Sequence, residues 1–260
     1  MRIISPQALS LSDASIVAPI SMARITTGQN AVTSMAVFTE TLPPYIKTLT
    51  NDVTFLLTTN LYFHNGQENA GNLNRKLLQN NLGFRSGLKK AIDASARRID
   101  ISVPIFPEAF ACMEWINVIT SDPSAFQTYK QRLTKLHQKD PVFSTLVKKD
   151  IESCHRVEGV ETIDFILEEI VGTHMLYMGQ APLHKHLSSE SKTEVVITYP
   201  GDILKSMPYA LEKLQPNKKD LPRMMFVGTG SHGVEHVYEL QKTRPMVGSG
   251  GYTLPSSVLN

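Results

Sequence analysis

Short apolar runs rich in β-branched residues recur along the whole chain, at 15–20, 52–58 (DVTFLLT), 98–103 (RIDISV), 194–199 (EVVITY) and 224–227. Between them lie long stretches with helical spacing: 33–50, bent near Pro43 and Pro44, then 72–97, 107–117, 124–137, 142–155, 161–178 and 202–214. Strands separated by helices pair in parallel through helical crossovers rather than as hairpins. The pattern therefore predicts an α/β fold with a mainly parallel sheet flanked by helices, and it places any site at the C-terminal ends of the strands. No repeat or linker interrupts it, and 260 residues still fit around one core, so 1–260 is expected to be a single domain.

The hydrophobic share of 42% and the charged share of 19% exclude a disordered chain. The apolar runs are a few residues long, far short of the ~20 that cross a bilayer, so no membrane association is expected. The first twenty residues lack a basic stretch followed by a continuous apolar one, and the expected compartment is the reducing cytoplasm. Two cysteines, Cys112 and Cys154, are too few for a disulfide framework or a four-thiolate zinc site, and are read as buried small hydrophobes.

Net charge is only +2, but it is sorted by segment. Residues 75–98 carry Arg75, Lys76, Arg85, Lys89, Lys90, Arg97 and Arg98 against Asp93 alone. Residues 127–150 carry Lys130, Arg132, Lys135, Lys139, Lys148 and Lys149 against Asp140 and Asp150. Residues 158–170 hold Glu158, Glu161, Asp164, Glu168 and Glu169 with no cation. A basic helix is either a solvated face or a footprint for a phosphate backbone.

Two motifs near the C-terminus invite a cofactor reading. Gly228-Thr-Gly-Ser-His-Gly233 after a strand matches a dinucleotide fingerprint, and the HGVEH of 232–236 would set His232 and His236 one helical turn apart, as in an inverted zinc-hydrolase motif. The first needs an acid about 20 residues further on, and the tail of the chain, MVGSGGYTLPSSVLN, has none. The second needs a third protein ligand, and only Glu239 follows. Both are read as a glycine-rich loop turning a strand into a helix, and the His184-Lys-His186 stretch as a solvated loop, so neither a metal nor a cofactor is expected.

On a helical wheel of the acidic segment, Val160, Ile166, Leu167 and Ile170 fall within about 60° of Ile163 and form a core stripe. Glu161, Asp164 and Glu168 fall on the opposite, wet side. Glu169 stands at the border beside Phe165, and is the acid expected to be half buried. A carboxyl there suits general acid/base chemistry.

Several segments, in order, resemble the tRNA-dependent cyclodipeptide synthases, and the likeness covers roughly residues 16–205, leaving 206–260 as a C-terminal extension. The family's helix motif Tyr-aliphatic-x-x-Glu-x-Pro is similar to FILEEIV at 165–171. Its tyrosine after the next strand is similar to Tyr199 in EVVITYPGD. Its basic helix resembles NRKLLQNNLGFRSGLKKAIDASARR, and its paired helices resemble DPSAFQTYKQRLTKLHQKDPVFSTLVKKDI. The resemblance implies a Rossmann-like domain similar to the catalytic domains of class I aminoacyl-tRNA synthetases, aminoacyl-tRNA as partner, no cofactor, and a monomer.

The family's nucleophile lies in Gly-aliphatic-Ser-x-x-Asn, and the matching stretch here is RITTGQN at 24–30, which has no serine. Counting back from the second strand puts Thr26 on the serine position, while aligning on Asn30 puts Thr27 there; Ser21 and Ser34 are the fallbacks. The motif tyrosine is Phe165 and the motif proline is Val171. The resemblance then implies that Glu169 and Tyr199 are catalytic with one of the threonines, that Gly28, Asn30 and Phe165 line the substrate site, and that Arg75, Lys76, Arg85, Lys89, Lys90, Arg97 and Arg98 bind tRNA. The competing readings are a non-catalytic RNA-binding α/β protein and a nucleotide- or metal-dependent enzyme built on GTGSHGVEH.

Overall fold

The computed structural model describes residues 2–3, 5–6, 14–22, 30–45, 53–58, 70–153, 160–178, 194–200, 204–214, 223–230 and 233–240. Its strands are β1 (Arg2–Ile3), β2 (Ala14–Ser21), β3 (Val53–Thr58), β4 (Phe110–Glu114), β5 (Glu194–Pro200), β6 (Arg223–Gly230) and β7 (Gly233–Leu240). Its helices are α1 (Ala31–Ala36), α2 (Ala70–Ala96), α3 (Trp115–Ser121), α4 (Pro123–Lys139), α5 (Pro141–Ser153), α6 (Val160–Tyr177) and α7 (Ser206–Leu214).

One seven-stranded sheet has the order β1-β7-β6-β5-β2-β3-β4. The five strands β2 to β6 are mutually parallel, while β7 runs antiparallel to β6 and β1 antiparallel to β7. From β2 the chain winds outward to β3 and β4, then returns to build β5 and β6 on the other side of β2. That reversal, between β2 and β5, is where doubly wound sheets place their ligands. Successive residues feed opposite faces. Val17, Leu56 and Phe226 pack with α3 to α7, and Ile16, Phe55 and Val227 pack with α1 and α2. A strand buried on both faces reads as a continuous apolar run, which is why β2 and β3 were legible.

Two expected elements are replaced. Residues 98–103 form no strand; Ile99 is 100% exposed and Arg98 is tied to Asp100 by two hydrogen bonds at 2.8 and 2.9 Å. The strand beside β3 is instead FACME at 110–114, inside the stretch expected to be helical, with a short 3-10 turn before it and α3 after it. Phe110 decides the register: it stacks on Phe55 at 6.1 Å and meets Phe38 edge-on at 5.7 Å, a gain that RIDISV has no aromatic ring to match. Within the expected 33–50 helix the chain begins as α1, widens to a π-helical turn at Val37–Thr41 and has a 3-10 turn at Pro43–Tyr45, while 46–50 lie outside the described residues. No helix among the described residues is long and apolar enough to cross a membrane.

The N-terminus of α7 is closed from a distance. Lys205 and Ser206 donate their backbone N–H groups to the two carboxylate oxygens of Asp150, on α5, at 2.6 and 2.9 Å. These are orphan donors of a helix start, met here by a carboxylate 55 residues earlier in the chain.

A second close approach is set by Gly172 on α6. A Cβ at this position would lie 2.2 Å from Cζ2 of Trp115, the residue that follows β4. The indole is buried and cannot swing away. Gly172→Ala is therefore expected to cost about 2 kcal/mol, the overpacking penalty less the helix-propensity gain. Gly83→Ala, on α2 with no atom within 4 Å of its Cβ, should stabilise by about 0.5–1 kcal/mol. Urea unfolding of the two variants separates these signs; equal shifts would contradict the Trp115 contact.

Candidate active site

α6 is almost wholly enclosed, because α3, α4, α5 and α7 all pack against it. From 165 to 176 every residue is buried except Glu169, which is half-buried. On the wheel Glu169 shares a face with Phe165, Thr173 and Leu176, all buried, so its carboxyl leaves α6 on the inward side. Gly172, three residues on, rests on Trp115 at the C-terminal end of β4, which sets this turn of α6 at the functional edge of the sheet.

The expected wet face is corrected at Glu168. It is 8% exposed, and Lys130 of α4 reaches it at 2.7 Å while also holding Asp164 at 3.1 Å. A single-stripe wheel fails here because α6 has neighbours on several sides. Burial would lower the Lys130 ammonium, but hydrogen bonds and charge from Glu168 and Asp164 outweigh it and hold Lys130 above its usual value. Removing the cation leaves two carboxylates facing each other in a largely dry site. Lys130→Met should cost about 2 kcal/mol, less than a fully buried pair because water reaches Asp164. Adding Glu168→Gln should recover most of it; no recovery would mean that the cost does not come from the Glu168 carboxylate left without its cation.

His174, one turn beyond Glu169 and on the α4 side, is fully buried, and neither ring nitrogen has a hydrogen-bond partner. It meets the Tyr129 ring edge-on at 4.5 Å, and the Arg132 guanidinium stands 6.0 Å from that same ring. Burial, with a smaller contribution from Arg132, lowers the imidazole to about 4, so it is neutral at physiological pH.

On the other face of the sheet, α2 is fastened to the strand ends. Asn80 Nδ2 donates to the Met22 carbonyl, just past β2, at 2.7 Å. Buried Asn81 donates to Glu114, the last residue of β4, at 2.8 Å and accepts from Arg85 Nε at 2.7 Å. Arg85 also lies 3.4 Å from Glu114. Of the seven cations expected to meet tRNA, Arg85 is thus turned toward the protein, and exposed Arg98 is paired with Asp100. Arg75, Lys89, Lys90 and Arg97 are exposed with no ion-pair partner among the described residues, and Lys76 is exposed beside them. Cys112 is partly buried, and burial raises its thiol while Arg85 opposes the shift.

Phe165 is buried one turn before Glu169. Asn30 caps α1: its Oδ1 accepts from the N–H groups of Val32 and Thr33, both at 3.0 Å. Ser34 is buried inside α1 and Ser21 ends β2. Thr26, Thr27, Gly28, Cys154, His184, His186 and His232 lie outside the described residues, as do the side chains of Tyr199 and His236. The backbone of Tyr199 stands near the end of β5, level with Gly228, next to the β2/β5 reversal.

The C-terminal motifs are resolved by secondary structure. Residues 233–240 are a strand, pairing back on β6 with Gly228 opposite His236, where both the dinucleotide and the zinc readings require a helix. No group of three or more potential metal ligands occurs among the described residues. His174 and Trp115 carry no signal in the sequence reading, and Lys130 enters it only as one cation of the basic run 127–150. Gly172 was the available signal, since a glycine inside an apolar helix marks a close approach.

No family model and no curated protein matches the sequence. Among solved structures, a cyclodipeptide synthase from Fluoribacter dumoffii superposes with a TM-score of 0.56 at 13% identity, covering 86% of this chain and 94% of its own. The chain has the cyclodipeptide synthase fold. Two further cyclodipeptide synthase structures are similar at a TM-score of 0.49 each. The one from Streptomyces noursei is 10% identical and covers 83% of this chain and 95% of its own. The one from Mycobacterium tuberculosis, described as relating cyclodipeptide synthetases to type I tRNA synthetases, is 14% identical and covers 80% of this chain and 84% of its own.

Proposed function

We propose that the chain is a tRNA-dependent cyclodipeptide synthase, joining two aminoacyl groups into a diketopiperazine by ping-pong acyl transfer. The observation that carries this reading is Glu169, the one side chain left partly open on an otherwise enclosed stretch of α6, at the sheet edge where this fold holds ligands. An aminoacyl ester on tRNA is already activated, so the reaction calls for neither ATP nor a metal. The hydroxyl of Thr26 or Thr27 attacks the first ester carbonyl, and the tRNA 3′ hydroxyl leaves with the proton. Backbone N–H groups around Gly28 stabilise the oxyanion. Glu169 binds the α-ammonium of the acyl group and takes its proton, freeing the amine to attack the second aminoacyl ester; the 3′ hydroxyl of the second tRNA leaves with a proton, and a dipeptidyl ester remains on the threonine. Tyr199 positions the dipeptidyl ester and relays a proton as the second amine closes the ring and restores the threonine hydroxyl. Asn30 and Phe165 shape the pocket, and the outward cations of α2 hold the acceptor stem through its phosphates.

The test is mass spectrometry of a culture expressing the protein, where a new diketopiperazine is expected. With labelled aminoacyl-tRNA, rapid denaturation should trap an ester on the peptide spanning 24–30, and Thr→Val at the reacting position should abolish it. RNA binding without any cyclic product would favour the non-catalytic alternative; label on Ser21 or Ser34 would move the nucleophile.

A further inference from the structure

The acceptor-stem role given to α2 leaves the second basic segment unused, and the structure puts it somewhere else. Leu77, Phe84, Leu88 and Ile92 of α2 pack in the core on one face of the sheet. Phe126 and Leu133 of α4 pack in the core on the other face. The two basic helices therefore flank opposite sides of the same sheet. On α4 the cations are divided by direction: Lys130 points inward and is neutralised by Asp164 and Glu168, whereas Arg132, Lys135 and Lys139 are exposed. Their i, i+3, i+7 spacing sets these three within about 60° on one stripe.

Arg132 also donates to the Lys213 carbonyl at 3.5 Å, which brings the end of α7 and the exposed Lys213 alongside. The nearby acids are occupied. Asp140 accepts from the Tyr209 hydroxyl at 2.6 Å and from the N–H groups that open α5, and Glu212 already has a partner. Lys135 and Lys139 have no ion-pair partner among the described residues. The stripe runs on from Lys130, which holds Glu168 next to Glu169, and α2 is tied to the C-terminal ends of β2 and β4 through Asn80, Asn81 and Arg85.

We infer that the outward face of α4 is a second tRNA-binding surface, which holds the second aminoacyl-tRNA while the first substrate has used α2. This rests on the proposed synthase reading, because a reaction consuming two polyanionic substrates at one edge is served by two basic flanks on opposite faces. A phosphate footprint of this kind reads backbone charge rather than sequence.

The test pairs Lys135→Glu/Lys139→Glu on α4 with Lys89→Glu/Lys90→Glu on α2, using bulk tRNA charged with labelled amino acids. The α4 variant should form the trapped acyl-enzyme within twofold of the wild-type rate, while its conversion to cyclic product falls at least tenfold at about 0.15 M salt. The α2 variant should lose acyl-enzyme formation itself. In direct titration with uncharged tRNA the wild type should bind two molecules and each variant one, and the salt slope of the weaker site should disappear from the α4 variant. Unchanged product formation by the α4 variant, or equal loss of both half-reactions, would overturn the inference. If the wild type makes no cyclic dipeptide, the synthase reading fails. The titration still decides the surface: one site in both wild type and α4 variant refutes it.

Discussion

Glu169→Gln is expected to fold with wild-type stability, within about 1 kcal/mol, and to lose cyclic dipeptide synthesis by roughly 10²–10⁴-fold, the usual contribution of a positioned acid/base group. Glutamine keeps the shape and the hydrogen-bonding capacity of a half-buried side chain on α6 but cannot take the proton from an α-ammonium. The loss should fall on the step after acyl transfer, so labelled acyl-enzyme should accumulate in the variant and fail to turn over. A single-turnover experiment with labelled aminoacyl-tRNA reads both steps. Product at the wild-type rate would remove Glu169 from the mechanism. Equal loss of acyl-enzyme and product would make it a binding group rather than a proton acceptor.

The second large effect is on stability and is set by His174. Its folded-state value of about 4 lies below the 6.5 of an unfolded chain, so the unfolded state binds the extra proton. The stabilisation from keeping the ring neutral is complete above about pH 6.5 and is lost as pH falls toward 4. Over that window the loss should reach about 3 kcal/mol for a ring with no solvent exposure. His174→Phe has no such titration, should be at least as stable at pH 7 because two unpartnered nitrogens are gone, and should stay flat between pH 6.5 and 4 in this component. A His174→Leu variant guards against overpacking against Tyr129. Urea unfolding at three pH values is the measurement. Parallel pH profiles for wild type and both variants would show that His174 is not the titrating group.

The α/β class, four of the five predicted strands and the long helices over 70–96, 123–139, 141–153 and 160–177 follow from periodicity alone, because burial on one stripe or on both faces leaves a pattern in the residues themselves. So does the half-buried state of Glu169, at the edge of an apolar stripe. What periodicity cannot carry is the choice among partners far apart in the chain. FACME displaces RIDISV beside β3 because Phe110 finds Phe38 and Phe55. GVEHVYEL becomes a strand because the edge of β6 offers it hydrogen bonds that a helix would leave unmade. Glu168 is dry because Lys130, 38 residues earlier, is held against it. Charge counted along the sequence showed two basic segments. Only the sheet between α2 and α4 decided that they face opposite ways, since the side of a layer on which a helix lands depends on the crossover that carries it and on the apolar stripe it must cover.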